Sequence, residues 1–338
     1  MRTKCVMCWL IIVSLVSNSA FFANRKIGHP EFCGIGDLAR IIGGTESEAK
    51  QWPWMVSLRL FWGLHFCGGF LVTPSHVVTA AHCVALLKEE KALLRVYAGT
   101  QGKDANTTVV SQIRTIIIHP KFRRKSAFDS DIAILVLREP LEFDDSISAI
   151  CLPLREPRMK QNVVAIGYGK TSEKAKFFSP VLRHVNIEVL DPTQCGTYEE
   201  LVEGTMICAG ILQGGKDACS GDSGGPLMSE DEDGIWEAIG IISFGEGCGR
   251  PNKPGVYTNI VRYVPWIVKE GLHGQAVRRT RFDRQVFGVM FERVNGVFGC
   301  RTRSTNVFDN QIPRSHVRTS LQTLVCRTEF DEPFNRAV

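Results

Sequence analysis

Three short stretches hold the residue types that hydrolysis through a covalent intermediate requires. They are Thr79-Ala80-Ala81-His82-Cys83, Asp129-Ser130-Asp131-Ile132-Ala133-Ile134-Leu135 and Gly221-Asp222-Ser223-Gly224-Gly225-Pro226. A hydroxyl becomes a useful nucleophile when a base takes its proton and an acid orients that base. A serine flanked by glycines lets the backbone turn sharply and aim N–H groups at a developing oxyanion. An aspartate just ahead of an apolar strand can be held buried. Singly, each stretch has a plainer reading: His82 as a satisfied core imidazole, Asp131 as a strand cap, the glycine-rich stretch as a loop. Together, in the order His, Asp, Ser, they point to nucleophilic catalysis by Ser223.

The elements around these residues read as short strands. Apolar runs at 54–60, 70–72, 113–118, 132–137, 163–166, 181–190 and 239–244 are broken by Gly, Pro and Asn, and several are rich in Val and Ile. Many short strands at fairly regular spacing imply an all-β barrel or sandwich. One helical pattern, Val261, Val264, Trp266, Ile267 and Val268, closes this zone, with Gly271 as its expected stop.

Residues 1–24 read as a secretory signal: Arg2 and Lys4, an apolar run over 5–16, then Ser17 and Ser19 suiting cleavage before Ala20. An uncleaved anchor is the alternative, but the run is short for a span of roughly 20 residues. Of 12 cysteines, Cys5 and Cys8 would leave with the signal. An even number remains, which implies disulfides and an extracellular, oxidising compartment. No CxxC pair survives signal removal, so a zinc ribbon is a weak reading. Asn106-Thr107-Thr108 is a glycosylation acceptor.

The net charge of the 338 residues is +5, but residues 272–338 carry 11 Arg and 6 Asp+Glu against 40 basic and 35 acidic residues in all. Residues 1–271 are therefore formally neutral, which argues against a nucleic-acid binder.

On the three stretches quoted above, the chain resembles the chymotrypsin-fold (trypsin-like) serine proteases over about residues 41–271. The resemblance implies an all-β fold of two six-stranded antiparallel β-barrels with a C-terminal helix, and no cofactor or metal. It implies Ser223 as nucleophile, His82 as general acid/base, Asp131 as the group that fixes the His82 tautomer, and the N–H groups of Gly221 and Ser223 as the oxyanion hole. Arg40-Ile41-Ile42-Gly43-Gly44 resembles the family's activation site. A cut after Arg40 by another trypsin-like protease would free the Ile41 ammonium to pair with Asp222. The expected organisation is a signal at 1–19, a propeptide or light chain at 20–40, the protease domain at 41–271 and an unassigned extension at 272–338.

By the same resemblance Asp217 lies at the base of the primary specificity pocket, Gly245 and Gly255 form its open walls, and Ala218 stands where a serine is frequent. Cleavage after Arg, then Lys, is the expectation. Ser243-Phe244-Gly245 matches the strand that pairs with substrate backbone, with Phe244 where the family usually has Trp. The implied disulfides are Cys33–Cys151, Cys67–Cys83, Cys195–Cys208 and Cys219–Cys248. A further family bridge is absent, with Val163 and Ser229 at its two places. No calcium-loop glutamates match over 99–119. Protein substrates, an activating protease and proteinaceous inhibitors are the implied partners, with no membrane span in the mature form. The competing class is a catalytically silent protease-like binding protein. Two charged runs, 121–125 and 230–234, read as a surface loop and a hairpin tip. The first is also a candidate exosite for sulfated glycans or acidic substrates, the second an acidic one. In the tail, Cys300 and Cys326 form a candidate pair, and Arg278-Arg279-Thr280-Arg281 a candidate trimming site.

Overall fold

The computed structural model describes residues 33–36, 45–47, 50–99, 108–195, 198–199 and 201–272. The signal, Arg40, Ile41, Asn106, Cys300 and Cys326 lie outside the described residues, as does the 273–338 tail.

The first barrel is closed from β2 (Met55–Leu60), β3 (His65–Thr73), β4 (His76–Thr79), β5 (Leu94–Ala98), β6 (Val109–Ile118) and β7 (Ala133–Leu137), in the order β2-β3-β4-β7-β6-β5. The second is built from β8 (Asn162–Gly167), β9 (Arg183–Val189), β10 (Met206–Gly210), β11 (Pro226–Glu230), β12 (Trp236–Phe244) and β13 (Gly255–Asn259). Its order is β9-β10-β13-β12-β11-β8, and the β8–β9 pairing closes it. The two-residue β1 (Thr45–Glu46) pairs with β9 from outside. Every named strand pair is antiparallel, and the two six-stranded barrels are those the sequence implies.

Strands alternate because one face of each must fill a barrel interior. Val163, Ala165, Ile187, Ile207, Leu227, Ile239 and Tyr257 fill the second interior. Between the barrels, the buried Trp54 indole on the first donates to Met228 Sδ on the second at 3.0 Å. Two helices are short: α1 (Ala81–Val84) and α2 (Val264–Leu272). Gly271 does not stop α2. The helix runs through it to Leu272, because one glycine costs a helix only about 1 kcal/mol and the buried Val264, Ile267 and Val268 hold this one on the domain.

All four expected disulfides are present: Cys33–Cys151, Cys67–Cys83, Cys195–Cys208 and Cys219–Cys248. Residues 33–36 are bound to the body of the domain beyond the sulfur bridge. Gly34 N–H donates to Ala149 O at 2.8 Å, and Trp236 N–H donates to Gly34 O at 2.9 Å.

The β8–β11 register pairs Leu227 with Ala165 and Met228 with Val164. One step further along, Ser229 faces Val163, and both are buried. The double variant Val163→Cys/Ser229→Cys should therefore form a fifth bridge and raise stability by about 2–4 kcal/mol. The check is the denaturation midpoint with and without reductant.

Candidate active site

His82 sits in α1, directly after β4, and Asp131 just ahead of β7. The β4–β7 pairing, with Thr79 opposite Ala133, brings the two together. Asp131 has no exposed surface. Its Oδ2 accepts from His82 Nδ1 at 2.7 Å, and its Oδ1 accepts from His82 backbone N–H at 2.8 Å. Ser243 at the end of β12 donates its hydroxyl to Oδ2 at 2.6 Å, and Thr258 on β13 donates to Asp131 O at 3.0 Å. A buried carboxylate is costly unless donors surround it. Here three donors reach its two oxygens, and they fix the imidazole with Nδ1 protonated and Nε2 free to accept.

Ser223 lies in the turn before β11, and the turn is pressed against the first barrel. Gly68 N–H donates to Ser223 O at 2.8 Å. Gly224 has φ 84°, and a Cβ there would meet Gly68 O at 2.5 Å, so only glycine fits. Gly221 has φ 96°, and a Cβ there would meet the Phe178 ring at 2.8 Å. Residues 221 and 223 thus lie in one turn shaped by glycine conformations that a side chain could not adopt.

A residue that the sequence reading does not single out holds this turn. His65, buried on β3, lies at hydrogen-bonding distance from the Gly221 carbonyl through Nε2 (2.9 Å) and from the Ser57 hydroxyl through Nδ1 (2.8 Å). A carbonyl can only accept, so Nε2 carries the proton and Nδ1 accepts from Ser57. Ser57 in turn accepts from Arg59 Nε at 2.9 Å. Burial lowers the His65 pKa from 6.5 to about 4. A lone histidine on a strand gives no sequence signal of this role; only the fold shows it.

Two carboxyl groups share a cavity of about 430 Å³ that Ile166, Gly169, Arg183, Asp217, Ala218 and Asp222 help to line. Asp222 accepts from Gly169 N–H at 2.6 Å and from Cys219 N–H at 2.8 Å. Asp217 accepts from Gly249 N–H at 3.0 Å. Its other oxygen, Oδ1, is buried with no hydrogen-bond partner among the described residues, as is the Tyr257 hydroxyl. Burial pushes both acids up from 3.8 to about 6, and the Asp217 charge adds to the effect at Asp222. Among the described residues neither acid is ion-paired. Gly245 and Gly255 stand close to each other, and a Cβ on Gly245 would lie 3.7 Å from Gly255 Cα.

Phe244 is not isolated. Phe128 stacks on it at 4.6 Å and 20°, Tyr198 meets it edge-on at 5.8 Å, and Phe128 is edge-on to His82 at 5.7 Å. The smaller ring at 244 is thus backed by a second aromatic, Phe128, which nothing in the sequence pattern marks. His82 also lies beside Cys67 and Cys83, but these sulfurs are bonded to each other and offer no thiolate to a metal.

The two barrels and the residues gathered between them define a chymotrypsin-fold hydrolase domain. The sequence model of the trypsin family matches residues 41–267. Transmembrane protease serine 11E of Mus musculus is 38% identical over 234 residues, covering 68% of this chain and 54% of the relative. Transmembrane protease serine 7 of Mus musculus is 38% identical over 242 residues, covering 69% of this chain and 28% of the relative. The chain thus spans about half the length of the first relative and under a third of the second. The chain belongs to the trypsin family of serine proteases. Among the described residues no helix is long and apolar enough to cross a membrane.

The pH response of this site has opposing parts. The lowered His65 pKa costs the fold stability as pH falls from 6.5 towards about 4, where the unfolded chain takes up the proton first. The raised pKa values of Asp217 and Asp222 act oppositely, contributing stability at low pH that is lost as pH rises from 3.8 through about 6. A site-resolved reading separates them. Nitrogen-15 NMR should find His65 neutral, with Nε2 protonated, down to about pH 4. Titration at the ordinary value of 6.5 would show that His65 is not shielded from water as the barrel places it.

Proposed function

We propose that this protein is a serine endopeptidase made as a zymogen, activated by cleavage after Arg40, and cutting protein chains after Arg and less readily after Lys. The observation that carries the reading is the buried Asp131, which fixes His82 from two sides in the cleft where the Ser223 turn lies.

In the mechanism, His82 Nε2 takes the Ser223 proton as Oγ attacks the scissile carbonyl. Asp131 stabilises the imidazolium that forms and does not itself become protonated. The N–H groups of Gly221 and Ser223 receive the oxyanion; one such donor is worth about 2.7–4 kcal/mol of barrier. His82 then hands its proton to the leaving amine, and water repeats the sequence to release the acyl group. His65 is a positioning residue: by holding the Gly221 carbonyl it aims that peptide's neighbouring N–H groups.

Activation follows from the two acids in the cavity. Asp222 with two backbone donors and no cation prefers to be neutral at mild acidity. An Ile41 ammonium arriving after cleavage would neutralise it and order the 221–223 turn. The Cys33–Cys151 bridge would keep residues 20–40 attached as a light chain. Protein cut at Arg40 should label at Ser223 with a fluorophosphonate. Ser223→Ala should not label, and Arg40→Gln should stay weakly active. Equal turnover by Arg40→Gln and by the cut protein would refute zymogen control, and no labelling of intact Ser223 would favour a silent binding protein.

The specificity reading rests on Asp217, a buried acid that lines the cavity and whose Oδ1 has no hydrogen-bond partner among the described residues. A guanidinium satisfies such a carboxylate with paired N–H donors. Ala218 offers no hydroxyl to a lysine ammonium, so Arg should be preferred over Lys by about 1–2 kcal/mol, one hydrogen bond's worth. Asp217→Ser should abolish cleavage after Arg. Paired peptides differing only in Arg or Lys measure both effects as kcat/KM. The signal-like N-terminus and the disulfides support an extracellular site of action, with Asn106 as a glycosylation site.

A further inference from the structure

The loop between β6 and β7 concentrates positive charge with nothing to balance it. Lys121, Arg123, Arg124 and Lys125 are exposed, and among the described residues none of them forms an ion pair. Some other cations on the same domain do meet an acid: Lys50 with Asp145, Arg250 with Glu173, Lys253 with Glu246 and Arg262 with Glu156. The nearest acid along the loop, Asp129, is turned inward and is 4% exposed. Its Oδ1 accepts the Ser130 hydroxyl at 3.0 Å and its Oδ2 accepts Lys125 N–H at 3.1 Å. Its charge serves the loop's own backbone and leaves the four cation heads in solvent.

The loop is also ordered. Phe122 N–H donates to His119 O at 3.0 Å, Arg124 N–H to Lys121 O at 3.1 Å and Arg123 N–H to Asp129 O at 3.0 Å. The Arg123 guanidinium lies over the Phe122 ring, 5.0 Å from its centroid. Three residues beyond Lys125 comes Phe128, stacked on Phe244 and edge-on to His82. Along the chain the basic run thus leads into the aromatic wall beside which, on the protease reading above, the acyl half of a substrate would pass as its backbone pairs with Ser243, Phe244 and Gly245.

We propose that the 121–125 loop recognises an acidic segment of the protein substrate on the N-terminal side of the cleaved bond. The proposal rests on the protease reading above. It adds to the Arg at the cut a second requirement: carboxylates several residues upstream, set against four unpaired cations. Continuity with the aromatic wall favours a substrate segment over a polysulfated chain, which needs no such link to the cleft.

The test uses Arg40-cleaved protein and two peptides with the same scissile Arg, one with Asp or Glu at three upstream positions and one with Ser and Gln there. Surface pairs of this kind are each weak and salt-screened. The acidic peptide should show kcat/KM about fivefold higher at low salt, with the preference largely gone at about 0.5 M salt. In Lys121→Gln/Arg123→Gln/Arg124→Gln/Lys125→Gln the two peptides should be cut alike, while the neutral peptide keeps its wild-type rate and so reports an intact site. Equal rates in the wild type would overturn the proposal and leave the protease reading standing. Cleavage of neither peptide would fail the protease reading and the proposal with it. Binding of a sulfated oligosaccharide that the quadruple variant loses, without any acidic-peptide preference, would assign the loop to polysulfates and overturn the substrate proposal.

Discussion

One buried carboxylate ties the domain together. Asp131 belongs to the first barrel, and it is bonded to His82 of that barrel and to Ser243 and Thr258 of the second. A charge with no exposed surface tolerates little displacement, because each lost donor leaves its desolvation uncompensated. The His82 imidazole and the junction between barrels are therefore held by the same group. Any shift of one barrel against the other would weaken the Asp131 contacts before it disturbed the hydrophobic interiors.

The Ser223 turn meets this junction from the other side, and there backbone packs on backbone. Gly68 lies against the 223–225 segment, and Gly224 leaves no room for a side chain. Together with His65 on the Gly221 carbonyl, the turn is supported from the first barrel although its own strand, β11, belongs to the second. The cleft between two barrels thus draws each chemical group from one barrel and its restraint from both.

Much of this was readable in the sequence because the key residues fall in contiguous words: His82 after a strand end, Asp131 before a strand, Ser223 between glycines. The disulfides were legible only through the resemblance, since cysteine spacing alone does not choose a pairing. His65 and Phe128 were not legible. Each acts through partners far away in the chain, at Gly221 and Phe244, and neither sits in a repeating pattern. Strands β4, β5, β10, β11 and β13, of four or five residues each, are not among the runs read from the sequence. β10 and β13 mix Cys, Gly, Ala and polar residues with apolar ones, and β4 and β11 are short, so pairing rather than composition defines them. Gly271 misled in the opposite sense, as a local stop that the packing of Val264, Ile267 and Val268 overrules.

With Cys33 bridged to Cys151, a cut at the proposed Arg40 site would leave residues 33–36 attached. The break would fall between the bridge and the barrels, and residues 33–36 would remain stitched to the rear of the domain by sulfur and by the Gly34 hydrogen bonds. Anything the chain carries ahead of Cys33 would stay attached to the cut enzyme. Where the protein resides would then be governed by its leading segment both before and after activation, and departure from that address would take a second cut or a reductant.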